Sequence, residues 1–196
     1  MRKRDIQKEK LLRQKALKMV AKDGLEGLSM QKLAKAAGIS PATIYIYFES
    51  KEDLILQLCS EMVTKMSEAT LKNFDPNMSF AEGLKVQWMN RAKYCLKYPH
   101  QAHFMEQIKH SSYHEKSLQM MEGTFRKSMQ EFVINAIVRK ELIKVPLEVF
   151  WSVAYAPLYN LVRFHNMGKS VGGHKFQFSE AIMLETLNLV LKALKP

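Results

Sequence analysis

A chain of 196 residues, 47% hydrophobic with a mean hydropathy of -0.23, has room for one large domain, or one small and one medium domain, around a real core. Its formal net charge of +11 and pI near 9.6 point to a polyanionic partner. Cys59 and Cys95 lie far apart in sequence and form no CxxC; they give no disulfide framework or zinc ligand set and read as small core fillers. No apolar run approaches the ~18 residues of a membrane span, and no apolar stretch follows the charged first ten residues, so no membrane partner and a cytoplasmic location are expected.

The basic excess is local. Residues 1–51 hold twelve Lys/Arg and five Asp/Glu, a net of +7. Arg2, Lys3 and Arg4 form a basic arm ahead of a first helix over 5–23, whose apolar stripe is Leu12, Ala16, Met19 and Val20 and which Gly24 ends. A second helix runs over 29–37, Gly38 breaks it, and a third runs from Ser40 and Pro41 to near Phe48. A fourth, over about 51–73, carries Ile55, Leu58, Met62, Met66 and Ala69 as a stripe, and Asp75-Pro76-Asn77 turns the chain.

The fifth helix, over 79–98, presents Phe80, Leu84, Trp88, Ala92 and Cys95 on one face; a short sixth runs over 99–110. The seventh, over about 115–140, has the stripe Leu118, Met121, Phe125, Met129, Phe132 and Ala136. The eighth, over 146–167, should kink at Pro157, and after a glycine-containing loop the ninth runs over 179–194. The expected fold is all-α, about nine helices. A three-helix helix-turn-helix domain over 1–50 precedes a helical bundle over 51–196.

The informative stretch is 28–51, LSMQKLAKAAGISPATIYIYFESK. Ser29 can cap the second helix, with Leu33, Ala36 and Ala37 facing inward. Gly38 supplies the left-handed backbone of a tight turn, Ile39 plugs the space between helices, Ser40 caps the third helix and Pro41 takes its first position. This order is a helix-turn-helix pattern, over about 28–48. At 100° per residue, Ile44 and Phe48 should be buried while Ala42 and Ile46 point outward. Thr43 and Tyr47 flank one edge, Pro41 and Tyr45 the other. Ala and Ile facing outward suit thymine methyls in a major groove, and the hydroxyls of Thr43, Tyr45 and Tyr47 can reach phosphates. Ser29, Ser40 and Lys51 are further phosphate ligands. The competing reading is a protein–protein helix hairpin with an exposed aromatic face.

The run LSMQKLAKAAGISPATIYIYFESKEDL resembles the DNA-binding domain of the TetR family of transcriptional regulators, matching its pattern of A-G-[IV]-S, a short T-x-Y-x-[YH]-F reading helix and K-x-x-L over roughly 6–58. The resemblance implies DNA contacts at Ser29, Gln31, Ser40, Pro41, Ala42, Thr43, Tyr45, Tyr47 and Lys51. Ile46 departs from members that carry Trp or Tyr there.

Elsewhere, His100, His103, His110 and His114 cluster, but no carboxylate or thiol completes a ligand set, and surface histidines are the plainer reading. His114-Glu115 is not followed by a second His at 118, which is Leu, so the zinc motif fails. No phosphate loop or nucleophile motif is present, so neither an enzyme nor a cofactor is expected.

The Met- and aromatic-rich middle of the chain suits an adaptable apolar cavity, and the resemblance implies an effector pocket there for a small apolar or amphipathic molecule. Its candidate lining is Met62, Met66, Trp88, Phe104, Met105, Gln107, Phe125, Met129, Tyr155 and Tyr159, with Asn160 as a further polar group. The last two helices are apolar over more than one face, which predicts a homodimer interface using Val153, Leu158, Leu161, Met183, Leu187, Val190 and Leu191. The expected function is a DNA-binding transcriptional regulator: a repressor that binds a palindromic operator in double-stranded DNA as a homodimer and is released by an effector. The alternative is a helical DNA-architectural or adaptor protein.

Overall fold

A computed structural model describes residues 5–121 and 123–196; the basic arm at Arg2, Lys3 and Arg4 lies outside them. Eleven helices and no strand occur among the described residues, and none of these helices is long and apolar enough to cross a membrane. The chain packs into two units, one of Met1–Lys65 and Tyr98–Met121, the other of Met66–Lys97 and Glu122–Pro196.

In the first unit, α1 (Ile6–Gly27) is capped by Asp5, whose carboxylate accepts from the N–H groups of Gln7 and Lys8. Leu12, Ala16 and Val20, spaced by four, are buried along it. Gly24 takes φ 72° and breaks the helical path, as expected, but the chain turns helically again to Gly27, which seats Leu25 in the core. α2 (Met30–Ala37), α3 (Pro41–Ile44) and α4 (Lys51–Leu71) follow. The chain returns to this unit with α6 (Pro99–Lys109) and α7 (His114–Gln119), having left it for α5 (Phe80–Lys97). One core joins Leu12, Val20, Leu33, Ile44, Phe48 and Leu58 to Phe104 and Ile108 of α6.

The second unit is built on α5, α8 (Gly123–Val138), α9 (Leu147–Ala154), α10 (Ala156–Met167) and α11 (Glu180–Leu194). Its core joins Phe80, Leu84, Trp88, Phe132, Phe150, Leu158, Met183 and Leu187. Phe80 and Phe132 stack with centroids 5.7 Å apart. Gly83 makes room for this: a Cβ there would fall 2.4 Å from the Phe132 ring.

Two predicted helices are each divided. The segment over 115–140 breaks between Gln119 and Gly123, giving α7 and α8. Its apparent stripe is not continuous, because Leu118 is exposed while Phe125, Phe132 and Ala136 are buried in the second unit. The segment over 146–167 separates at Tyr155, between α9 and α10, rather than kinking at Pro157 itself. Pro157 has no N–H for the carbonyl of Val153, and its ring clashes with that carbonyl, so the break falls just before it. The described residues therefore form eleven helices where about nine are expected.

Candidate nucleic-acid interface

The turn between α2 and α3 follows from its sequence. Ser29 Oγ accepts the N–H of Lys32 at 3.4 Å. Gly38 sits at φ 67°, its N–H directed to Ala34 and Lys35, and the N–H of Ile39 bonds the carbonyl of Ala34. This is the double closure that ends a helix on a left-handed glycine. Ser40 Oγ accepts the N–H of Thr43 at 3.2 Å and lies 2.8 Å from Thr43 Oγ1, and Pro41 occupies the first turn. On α2 the inward residues are Met30, Leu33 and Ala34; Ala36, expected inside, is exposed and Ala37 is partly buried.

The reading segment is wound more tightly than a helix to Phe48 would be. α3 ends at Ile44, and the N–H groups of Ile46 and Tyr47 bond the carbonyls of Thr43 and Ile44 three residues back. At about three residues per turn, residue 47 eclipses residue 44. Tyr47 is accordingly buried with Ile44 and Phe48, only 4% exposed, instead of standing at the edge. Gln31, Pro41, Ala42, Tyr45 and Ile46 are exposed, and Ser29, Thr43 and Lys51 are partly so. A cleft of about 150 Å³ beside this surface is lined by Asp5, Lys8, Ile39, Ser40, Thr43, Ile46 and Tyr47.

The segment is held from behind. Arg13 on α1 donates to Glu9 at 2.7 Å and to Gln57 at 2.6 Å, and its guanidinium covers the Phe48 ring. Ser50 Oγ accepts the N–H of Asp53 while Asp53 accepts the N–H of Glu49, a reciprocal cap that starts α4 beside Lys51. Lys116 of α7 reaches Glu52 at 2.7 Å.

The ten effector-lining candidates divide between the units. Met62, Phe104, Met105 and Gln107 belong to the first; Met66, Trp88, Phe125, Met129, Tyr155 and Tyr159 belong to the second. Met62 and Phe104 are core side chains of the first unit. In the second, Trp88 Nε1 donates to the carbonyl of Ala154 at 2.8 Å. Phe125, Tyr155 and Tyr159 converge on Arg91, a residue the sequence reading passed over. Its signal was available: Arg91 falls on the apolar stripe of α5, three residues after Trp88 and four before Cys95. Burial opposes the charge of Arg91, but Tyr159 and Tyr155 together outweigh it and its pKa lies above the usual arginine value. Burial pushes the Tyr155 phenol up to about 12, against the pull of Arg91.

Of the dimer candidates, Leu158, Met183, Leu187 and Val190 are buried within the second unit, whereas Val153, Leu161 and Leu191 are only partly covered. On the other side of α11 Leu189 is 61% exposed and Ile182 is half-buried. Cys59 and Cys95 are both buried, and burial pushes the Cys59 thiol up to about 12. His100, His103 and His110 are exposed, and no group of three or more His, Cys, Asp or Glu side chains among the described residues is placed to hold a metal.

The capped turn, the exposed reading segment and the separately cored helical unit define an all-α helix-turn-helix protein. Residues 12–58 match the model of the bacterial regulatory proteins of the TetR family. An uncharacterised HTH-type transcriptional regulator of Haemophilus influenzae is 36% identical over 73 residues, which span 37% of this chain and 39% of that protein. A crystal structure of a TetR family transcription regulator from Marinobacter aquaeolei is 28% identical, with a TM-score of 0.73 over 100% of this chain and 99% of that one. A TetR-family transcriptional regulator structure from Haemophilus influenzae shares the fold at a TM-score of 0.77 over 97% of each chain, at 20% identity. These relatives are named as regulators, not enzymes.

Proposed function

We propose that the protein is a DNA-binding transcriptional repressor, acting as a homodimer on a palindromic operator and released by a small effector held in its helical body. The observation that carries DNA binding is the outward set Ala42, Tyr45 and Ile46 on a capped helix-turn-helix, within a stretch of net charge +7. Large apolar groups facing outward on a basic surface are costly in water and favourable against thymine methyls in a major groove. Gln31, Ser29, Ser40, Pro41, Thr43, Tyr45, Tyr47 and Lys51 would fix the backbone register, and the match of residues 12–58 to the TetR family model supports the same contacts.

A protein with one short reading segment per chain gains specificity from two copies held at a fixed spacing, about 34–36 Å between half-sites. Exposed Leu189 and half-buried Val153, Leu161, Leu191 and Ile182 supply apolar surface for that pairing. An effector acts by binding better to a state whose two reading segments no longer match the spacing.

The test is the ratio of affinities for operator and for random duplex. Ile46→Ala should lower operator affinity about tenfold, roughly 1.4 kcal/mol, and leave random-duplex affinity nearly unchanged. Equal losses on both would remove Ile46 from base reading.

A further inference from the structure

Arg91 is the one charged side chain buried among the described residues, 3% exposed on α5. Its Nη1 donates to Tyr159 Oη at 2.7 Å, while its Nε and Nη2 have no partner. One turn earlier on the same face, Gln87 is fully buried. Its Oε1 is taken by the Tyr155 hydroxyl at 2.7 Å, and its Nε2 has no partner. The unmet groups on this face of α5 are therefore all donors: two N–H directions of a guanidinium and one amide NH2. A buried cation with unmet donors is unfavourable unless an acceptor of opposite charge completes it.

The surroundings narrow the acceptor. The guanidinium carbon lies 4.7 Å from the Tyr155 ring centroid, 5.8 Å from that of Trp151 and 5.9 Å from that of Phe125. Three aromatic rings stabilise a cation but accept no in-plane N–H bond. A planar group with two coplanar oxygens satisfies the fork of Arg91 and leaves one lone pair for Gln87. A single buried cation balances a monoanion, whereas a phosphate dianion would need a second. Trp151 is 42% exposed and packs over Tyr155 at 4.8 Å and Tyr159 at 6.4 Å, so the cluster reaches solvent past an indole.

We propose that Arg91, Gln87 and the aromatic rings of Phe125, Tyr155 and Trp151 form a binding site for a small monocarboxylate with an apolar tail. Arg91 and Gln87 hold the carboxylate and the rings hold the start of the tail. Treating this ligand as the effector rests on the regulatory reading above; the anion site itself does not.

The experiment uses the full chain and four matched probes below their micelle concentrations: octanoate, 3-phenylpropionate, 1-octanol and octylammonium. Binding is followed by calorimetry and by the fluorescence of Trp151 and Trp88. The carboxylates should bind and quench, and octylammonium should not bind. Arg91→Met should weaken carboxylate binding about 10–100-fold, the range for losing a hydrogen bond to a charged group, and change octanol binding less than about threefold. The same variant should melt at or above the wild-type temperature, because it removes an unpaired buried charge.

Octanol binding as tightly as octanoate, or Arg91→Met binding octanoate like the wild type, would overturn the proposal, as would no carboxylate binding up to millimolar concentration. Should Arg91→Met not fold, the wild-type ranking of the four probes decides alone. A DNA-release assay separates the two readings. Carboxylate binding that leaves operator affinity unchanged keeps the anion site and ends its role as effector site. Release by octanol alone ends the anion site and keeps effector control.

Discussion

The guanidinium of Arg13 lies 5.3 Å from the centroid of the Phe48 ring, so a side chain of α1 closes over the last residue of the reading segment. The same group bonds Glu9 and Gln57, and its side chain is 20% exposed. It thus joins α1, the reading segment and α4 at one point. Arg13→Met should cost about 1–2 kcal/mol of stability after allowance for its partial exposure. Urea denaturation measures this, and an unchanged midpoint would show the contacts to be energetically idle.

Tyr47 calls for two variants. Because its ring is buried with Ile44 and Phe48, Tyr47→Ala should lose about 3–5 kcal/mol of stability and confound any DNA measurement. Tyr47→Phe keeps the packing and removes only the hydroxyl. It should fold normally and weaken operator binding about threefold to tenfold, the scale of one hydrogen bond. Wild-type affinity for Tyr47→Phe in a gel-shift titration would take the hydroxyl out of the DNA contact.

Lys51 stands at the start of α4, just past the reading segment. The phosphate contact proposed for it would contribute to affinity for every sequence. Lys51→Ala should lower operator and random-duplex affinity alike and reduce the slope of log K against log salt by about 0.9 per binding chain. A slope equal to that of the wild type would exclude a phosphate contact.

On α11 two leucines two residues apart should behave differently. Leu187 is 2% exposed and belongs to the core, so Leu187→Glu should unfold the second unit. Leu189 is exposed on the opposite stripe, so Leu189→Glu should keep the fold and give monomers in analytical ultracentrifugation. A persistent Leu189→Glu dimer would move the interface elsewhere.

What could be read from the sequence follows the range of the interactions. Ser29, Gly38, Ser40 and Pro41 act within four residues, and their caps and turn appear where the sequence put them. Tyr47 was misplaced because its face depends on whether the backbone winds at 100° or 120° per residue, a choice made by packing under Phe48. Leu187 and Leu189 were not separable by composition, since a helix apolar on most sides does not declare which stripe its own core takes. Arg91 was hidden among 30 Lys and Arg residues. Only its position on an apolar stripe marks it, and its meaning comes from Tyr155, held inward at a break that Pro157 imposes.

The central claim is sequence-specific DNA reading by paired helix-turn-helix units. Selection of tight binders from a random duplex library by the full-length protein tests it most directly. An inverted repeat should be enriched, its half-sites centred about one helical turn apart and containing thymines where Ala42 and Ile46 dock. A retained pool with no shared sequence, or a single unrepeated site, would contradict it.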